Sequence, residues 1–183
     1  MNIVLGVTGS ISAYKAADIA NRLHKDGHDV HVVMTGGAEE FITPLTLQTL
    51  SKNKVLTEEF VEYDEYDPTA VMHIDLANNA DVVLIAPATA NVIGKIAGGI
   101  ADNLLCAVVM AAADQSQVII APAMNTHMYE NPIVQDNIEK LKKYGYLFIE
   151  PKEDSHLACG TTGKGALADV DDIIAFTEAV KVK

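Results

Sequence analysis

The stretch DVVLIAPATAN at residues 81–91 decides the fold of this chain, because QVIIAPAMN at residues 117–125 repeats it in altered form. Each copy is an apolar run that leads into a small residue, a proline, small residues and an asparagine. Proline fixes φ and lacks an N–H, so we expect each strand to end at its proline and turn into a shaped loop. In an open α/β sheet, ligands lie beyond the carboxyl ends of the strands. The two copies therefore predict the wall of a site for a flat cofactor.

The rest of the chain alternates strands and helices around these two copies. Continuous apolar runs predict buried strands, and amphipathic or alanine-rich segments predict helices. Strands are expected at residues 2–7, 29–34, 81–86, 117–121 and 146–149, and helices at residues 12–25, 73–80, 103–113, 131–143 and 171–180. This order predicts an α/β protein with a single-domain doubly wound, mostly parallel sheet of the Rossmann or flavodoxin-like type, spanning residues 1–183.

Two segments interrupt the alternation. Residues 58–69 are acidic and carry three aromatic residues, which suits an exposed surface or a subunit contact. Residues 151–169 are rich in glycine and proline and lack periodicity, which is typical of a mobile functional loop. Cys159 lies within the second segment, and a cysteine in such a loop favours a function there.

Charge and cysteine content limit the possible partners. The net charge of −12 argues against nucleic acid or an anionic membrane as a partner. No apolar run reaches the roughly 18 residues of a membrane span, and the first residues do not resemble a signal peptide. Two cysteines far apart in such a chain suggest reduced thiols, so we expect a cytoplasmic protein.

The first strand is followed by GVTGSIS at residues 6–12, a turn typical of phosphate binding. Gly9 permits close approach, and Ser10, Ile11 and Ser12 open the next helix; the alternative is an ordinary tight turn with Ser12 as the helix cap. The glycine spacing is not the dinucleotide fingerprint. The second strand also ends in Met34 and Thr35, where an NAD site requires an acidic residue. We therefore expect FMN and not NAD.

Four motifs resemble those of the flavin-containing cysteine decarboxylases, and together they cover most of the chain. They are GVTGSISAYK at the amino terminus, PATAN followed by IGKIAGGIADNLL, PAMNTHMYENP, and ACGTTGKG at residues 158–165. The last resembles the substrate-clamp motif of that family. Within the family, the motif set is most similar to the members that act in coenzyme A biosynthesis.

The resemblance implies a set of site residues. FMN would be bound by the first turn, by Thr35 and by the wall around both prolines: Gly9, Ser10, Ile11, Ser12, Thr35, Ala86, Pro87, Ala88, Thr89, Asn91 and Ala121. The substrate would be bound by Ala123, Met124, Asn125 and Lys164, with Asn125 on its carboxylate. His73 and Cys159 would be catalytic, and no metal is expected.

Each of these residues also has an ordinary structural explanation. An asparagine after a strand is often a turn or helix cap, and an isolated histidine is more often structural than catalytic. His127 and His156 are second choices for the catalytic histidine. Cys106 is expected to pack as a small buried hydrophobic residue. The clamp motif has Ala166 where the family has a basic residue, so the cation that meets the substrate phosphate is left open.

Two further residues depart from the family motifs: Tyr129 replaces a tryptophan and Val92 a threonine. The expected reaction is the FMN-dependent decarboxylation of 4′-phosphopantothenoyl-L-cysteine to 4′-phosphopantetheine, with Cys159 donating the final proton. The alternatives are a peptidyl-cysteine decarboxylase of the lantibiotic type, which needs no such cysteine, a flavin prenyltransferase, and a non-catalytic FMN-binding regulatory protein. Expected partners are copies of the same chain, as a trimer or a multiple of it, and a separate phosphopantothenate–cysteine ligase.

Overall fold

The computed structural model describes residues 1–57, 71–153, 155–156 and 162–181. Its strands are β1 (Asn2–Val7), β2 (Asp29–Met34), β3 (Val82–Ala88), β4 (Gln117–Pro122), β5 (Leu147–Phe148), β6 (Ser155–His156) and β7 (Thr162–Gly163). Its helices are α1 (Lys15–Lys25), α2 (Gly36–Glu39), α3 (Pro44–Ser51), α4 (Met72–Asn79), α5 (Ala90–Gly98), α6 (Leu104–Ala112), α7 (Thr126–Tyr129), α8 (Pro132–Lys143) and α9 (Val170–Ala179). A 3₁₀ turn, Ile11–Tyr14, precedes α1.

Five strands form one parallel sheet in the order β2-β1-β3-β4-β5. This is the flavodoxin-like order, so the doubly wound parallel sheet predicted from sequence is confirmed. The order places the ends of β1 and β3 side by side, with β4 next to β3. Both proline phrases therefore lie at the same carboxyl edge of the sheet.

Both faces of the sheet are covered, which explains why its strands are almost wholly apolar. Side chains alternate along β1, so Ile3 and Leu5 face one core and Val4 faces the other. The first core includes residues of α1, α3 and α9, and the second includes residues of α4, α5, α6 and α8. A Cβ at Gly6 would lie 2.5 Å from the side chain of Leu105, so this glycine lets α6 pack directly on the sheet.

The proline of the first phrase does not end its strand, which corrects the sequence-based expectation. β3 continues through Pro87 to Ala88, with a shift of register between Ile85 and Ala88. Proline removes only a donor, and its carbonyl can still accept a hydrogen bond. The carbonyl of Ala88 accepts one from the N–H of Ala123 at 2.9 Å, which keeps the strand end paired with the neighbouring phrase.

Candidate functional site

The buried hydroxyl of Thr8 joins the ends of β1 and β3. Its Oγ1 donates a hydrogen bond to the carbonyl of Pro87 at 2.8 Å and accepts one from the N–H of Thr89 at 3.1 Å. Thr8 is only 1% exposed. Because one buried hydroxyl serves two backbone groups of the neighbouring strand, it fixes the two strand ends relative to each other. Sequence reasoning missed this role, since a hydrogen bond between residues 79 positions apart leaves no local signal.

The turn after β1 brings two backbones together. A Cβ at Gly9 would lie 2.9 Å from the carbonyl carbon and oxygen of Gly37, so a side chain here would collide with main chain. The next residue, Ser10, caps the 3₁₀ turn, since its Oγ accepts a hydrogen bond from the N–H of Ser12 at 3.3 Å. Ser12 is therefore not the helix cap, because the helical turn already begins at Ile11.

A cavity of about 520 Å³ opens beside this turn. Its volume lies within the roughly 300–1,000 Å³ that is common for small-molecule sites. The lining comes from the residues after β1 and β2, from α2, α5 and α7, and from the residues just before α5 and α6: Thr8, Gly9, Thr35, Gly36, Gly37, Thr89, Asn91, Val92, Lys95, Asp102, Asn103 and Met128. The structure thus brings together four of the predicted cofactor residues, Gly9, Thr35, Thr89 and Asn91.

The other predicted cofactor residues do not belong to the described lining of the cavity. Ser10, Ile11 and Ser12 form the cap and start of the 3₁₀ turn. The remaining four are buried in the strands behind the cavity: Ala86, Pro87, Ala88 and Ala121. From the first phrase, the residues that reach the cavity follow the strand, and they include Thr89 and Asn91.

A charged pair at the cavity was missed by sequence reasoning. Lys95 of α5 places its Nζ 2.8 Å and 2.9 Å from the two carboxylate oxygens of Asp102. The hydrogen bond from Lys95 is the main reason that the pKa of Asp102 lies below its ordinary value. The next residue, Asn103, caps α6 by accepting a hydrogen bond from the N–H of Cys106 at 3.0 Å. That cap was detectable from sequence, because an asparagine stands directly before an apolar helix.

The described lining suits FMN better than a dinucleotide. Gly9 and Gly37 have no side chains, which leaves room for a phosphate. The hydroxyls of Thr35 and Thr89 can form hydrogen bonds with a linear polyol chain. The end of β2 supplies Thr35 and two glycines, with none of the acidic residues that a cyclic ribose of NAD requires there. The residues present therefore fit the predicted cofactor.

The second phrase has different surroundings. Asn125 caps α7, because its Oδ1 accepts a hydrogen bond from the N–H of His127 at 2.9 Å. The ordinary role of an asparagine as a helix cap is thus present, and it fixes the orientation of the amide. The N–H of Met124 donates to the carbonyl of Gly165 at 2.9 Å. Gly165 has a φ of +148°, and a Cβ there would overlap the carbonyl oxygen of Met124.

Lys164 is part of a network beside this second phrase. Its Nζ lies 3.0 Å from Oε2 of Glu150 and 5.7 Å from the ring centroid of Tyr129. The hydroxyl of Tyr129 donates to the same Oε2 at 3.0 Å. Burial, and then the bond to Glu150, raises the pKa of Tyr129. Within the described residues, Lys164 does not belong to the lining of the cavity.

Of the two predicted catalytic residues, the structure describes only His73. His73 is half-buried in the first turn of α4, a helix that packs against α6, and it is not among the described lining residues. Cys159 lies outside the described residues, as does the acidic segment at 58–69. Cys106 is only 2% exposed, and burial raises its pKa, so the expectation of a buried structural cysteine is confirmed.

Among the described residues no helix is long and apolar enough to cross a membrane. Residues 1–181 match the sequence profile of the family described as Flavoprotein. A probable phosphopantothenoylcysteine decarboxylase of Streptococcus mutans is 53% identical over 176 residues, which cover 96% of each chain. The coenzyme A biosynthesis bifunctional protein CoaBC of Bacillus subtilis is 47% identical over 97% of this chain. The chain spans only 42% of the length of that bifunctional relative.

Solved structures of similar proteins superpose closely on this chain. A mutant PPC decarboxylase complexed with pantothenoylaminoethenethiol superposes with a TM-score of 0.84 at 32% identity, covering 97% of this chain and 96% of the other. The FMN-binding protein AtHal3 gives a TM-score of 0.82, also at 32% identity, over 97% of this chain and 94% of the other.

Proposed function

This chain belongs to the Flavoprotein family, and on that premise we propose that it uses FMN to decarboxylate 4′-phosphopantothenoyl-L-cysteine to 4′-phosphopantetheine, a step of coenzyme A biosynthesis. The observation that carries the proposal is the cavity at the carboxyl edge, where the first turn, Thr35 and the first proline phrase meet. The 53% identical relative, which shares almost its full length with this chain, is named for the same reaction. We further propose that residues 1–183 act as one flavoprotein domain.

FMN would be held by the residues that the cavity brings together. The turn at Gly9 and Ser10 would receive the phosphate, and Thr35 the phosphate or ribityl chain. Thr89 and Asn91 would face the ring system, in front of the buried strand ends. When bound, FMN supplies a reversible two-electron sink, which explains how a reaction without net redox change can release CO₂.

The second phrase would receive the cysteinyl end of the substrate. Asn125, held in place by its cap on α7, would bind the carboxylate beside Ala123 and Met124. His73 would take or guide the proton that leaves the substrate in the oxidative step. Cys159, in the clamp loop at about residues 151–169, would donate the proton that completes reduction of the enethiol. Lys164 is the expected substrate cation, but its contacts with Glu150 and Glu153 favour a different role.

We propose that the active form is a homo-oligomer, a trimer or a multiple of it. The described face around His73 supports a subunit contact, since Val71 and Ile74 beside it are 48% and 39% exposed, and Met110 of the neighbouring α6 is 48% exposed. His73 is not among the described lining residues of the cavity in its own chain, and we propose that a neighbouring copy completes the site. Sedimentation at assay concentration tests this, and an active monomer would contradict it.

A separate phosphopantothenate–cysteine ligase would supply the substrate. The relative named as a coenzyme A biosynthesis bifunctional protein supports this proposal, because its name pairs a second function of that biosynthesis with the region that this chain matches. We also propose a cytoplasmic location, which suits a chain with two widely spaced cysteines.

The proposal is tested by incubating the FMN-loaded protein anaerobically with 4′-phosphopantothenoyl-L-cysteine and following CO₂ and the thiol product by mass spectrometry. The wild-type protein should give 4′-phosphopantetheine. Cys159→Ser should still release CO₂ but give a product two hydrogens lighter, because a serine hydroxyl is a far weaker acid than a thiol of pKa about 8.5.

Each rival function predicts another result in that assay. A wild-type product that is already two hydrogens short would indicate chemistry of the peptidyl-cysteine decarboxylase type. Bound FMN without CO₂ release would indicate a prenyltransferase or a regulatory protein. A full yield of 4′-phosphopantetheine from Cys159→Ser would show that another group donates the proton.

A further inference from the structure

Glu150 stands where three segments meet at the carboxyl edge of the sheet. It directly follows Ile149, whose N–H donates to the carbonyl of Ile120 at 3.0 Å and so continues the pairing of β5 with β4. From this fixed position the carboxylate contacts Tyr129 of α7 and Lys164 of the segment after β7. We propose that Glu150 is a positioning residue for substrate binding, which holds the segment 162–166 against the Asn125 turn. The proposal rests on the function proposed above.

One carboxylate oxygen of Glu150 makes the contacts with both Tyr129 and Lys164. Oε2 of Glu150 accepts the hydroxyl of Tyr129 and the ammonium of Lys164, each at 3.0 Å. Oε1 lies 3.5 Å from the ammonium of Lys142 on α8. Burial of Glu150 acts to raise its pKa, but the bonds from Lys164 and Tyr129 outweigh it and hold the pKa below its ordinary value. The carboxylate is therefore ionised at neutral pH and acts as a charged acceptor for both partners.

The segment that Lys164 belongs to is in tight contact with the substrate phrase. The carbonyl of Gly165 accepts the N–H of Met124, directly before Asn125. A Cβ at Gly163 would lie 2.7 Å from Oγ1 of Thr126, so the backbone of Gly163 packs directly against the Thr126 side chain. Because little space separates these segments, a displacement of Lys164 would be transmitted to the turn that orients the Asn125 amide.

The same contacts argue against Lys164 as a direct ligand of the substrate phosphate. Its ammonium lies between two carboxylates, 3.0 Å from Glu150 and 3.7 Å from Glu153. It also lies over the ring of Tyr129, where a cation is attracted by the aromatic face. The two acidic neighbours offset its positive charge, which weakens the electrostatic attraction between Lys164 and an incoming phosphate. Tyrosine at position 129 adds a hydroxyl that the tryptophan of the family motif would lack.

The test compares Glu150→Gln and Tyr129→Phe with a matched control, Glu139→Gln. Glu139 lies on α8 and also pairs with Lys142, at 3.1 Å, but among the described residues it forms no ion pair with the segment 162–166. Glu150→Gln and Tyr129→Phe should each raise KM about three- to tenfold and change kcat less than about twofold, with FMN content unchanged. The double variant should be no worse than the more severe single variant, because both substitutions break one link. The control should match wild type.

Two substrates separate positioning from direct phosphate binding. Lys164→Met should raise KM by the same factor for 4′-phosphopantothenoyl-L-cysteine and for its dephosphorylated form. A rise for the phosphorylated substrate alone would make Lys164 a phosphate ligand and overturn the proposal. A Glu150→Gln variant that behaves like Glu139→Gln would also overturn it. Wild-type turnover is measured first, because its absence would overturn the proposed function itself, together with this inference.

Discussion

The two proline phrases share a sequence pattern but differ in what covers them. The first, ending in Thr89 and Asn91, leads into the nine-residue helix α5 and faces the cavity. The second, ending in Asn125, leads into the four-residue helix α7 and is covered by the backbone of Gly165. We propose that one pattern at neighbouring strand ends serves two purposes: the open end would receive a cofactor, and the covered end would hold a smaller group under a clamp.

Each phrase also depends on a glycine of another segment. Gly9 makes room for Gly37 next to the first phrase, and Gly165 makes room for the Met124 carbonyl in the second. If the two phrases are specialised as we propose, substitutions at these glycines should separate cofactor binding from substrate binding.

Gly9→Val should have the largest effect. A side chain at this position collides with the Gly37 backbone and fills the space beside the phosphate turn. FMN affinity should fall by at least about 100-fold, measured by fluorescence titration of the apoprotein. Gly94→Ala is the control, because a Cβ there meets only the Asn137 amide at 3.8 Å. Tight FMN binding by Gly9→Val would show that the cofactor phosphate lies elsewhere.

Thr8→Val should destabilise the first phrase. The substitution keeps the shape but removes the hydroxyl that serves Pro87 and Thr89. The free energy of unfolding should fall by about 2 kcal/mol in denaturant titrations, because two backbone groups lose their partner. Thr177→Val is a matched control, since this equally buried hydroxyl donates to the Ile173 carbonyl within α9 and its loss leaves the helix bond in place. Equal losses in both variants would contradict a special role for Thr8.

Gly165→Ala should impair the second phrase and spare the first. The positive φ and the overlap with the Met124 carbonyl force the covering segment to move. KM should rise about tenfold while FMN stays bound, as seen from the flavin absorbance of the purified protein. Gly99→Ala is the control for backbone strain alone, because Gly99 also has a positive φ but nothing lies within 4 Å of its Cβ position. Loss of FMN from Gly165→Ala would show that the two phrases form one site.

Local patterns predicted the fold well, and contacts distant in sequence account for what they missed. The strands Asn2–Val7 and Asp29–Met34 have the predicted bounds, because apolar runs between turn residues are local signals. The repeated phrase likewise placed Thr89 and Asn91 at the cavity. By contrast, the Thr8 bridge depends on a partner 79 residues away, which no local pattern encodes.

The helix α5 is an exception, because sequence reasoning overlooked it although its signal is local. The helix α5 begins inside the proline phrase, where Thr89 caps it by accepting a hydrogen bond from the N–H of Val92 at 3.3 Å. The sequence-based prediction placed a loop after the proline and therefore did not include a helix that begins at Ala90. The predicted cation Lys164 was assigned from its motif alone, and its two acidic neighbours, Glu150 and Glu153, come from outside that motif.

Substitutions in the pair of Lys95 and Asp102 should have the smallest effect. They test whether charge at the cavity contributes to FMN affinity. The two residues are the only cation and the only anion in the described lining of the cavity, and they offset each other at 2.8 Å. FMN carries a negatively charged phosphate, so Asp102→Asn should bind FMN about two- to fivefold more tightly and Lys95→Met should bind it more weakly by a similar factor. Both effects should shrink as salt is raised, because exposed charges are screened.

Glu139→Gln, which removes an acidic partner outside the described lining, should leave FMN affinity unchanged. Equal weakening by both cavity variants, independent of salt, would instead show that the pair only ties α5 to the start of α6, so that the first phrase is adapted to FMN by its shape and not by its charge.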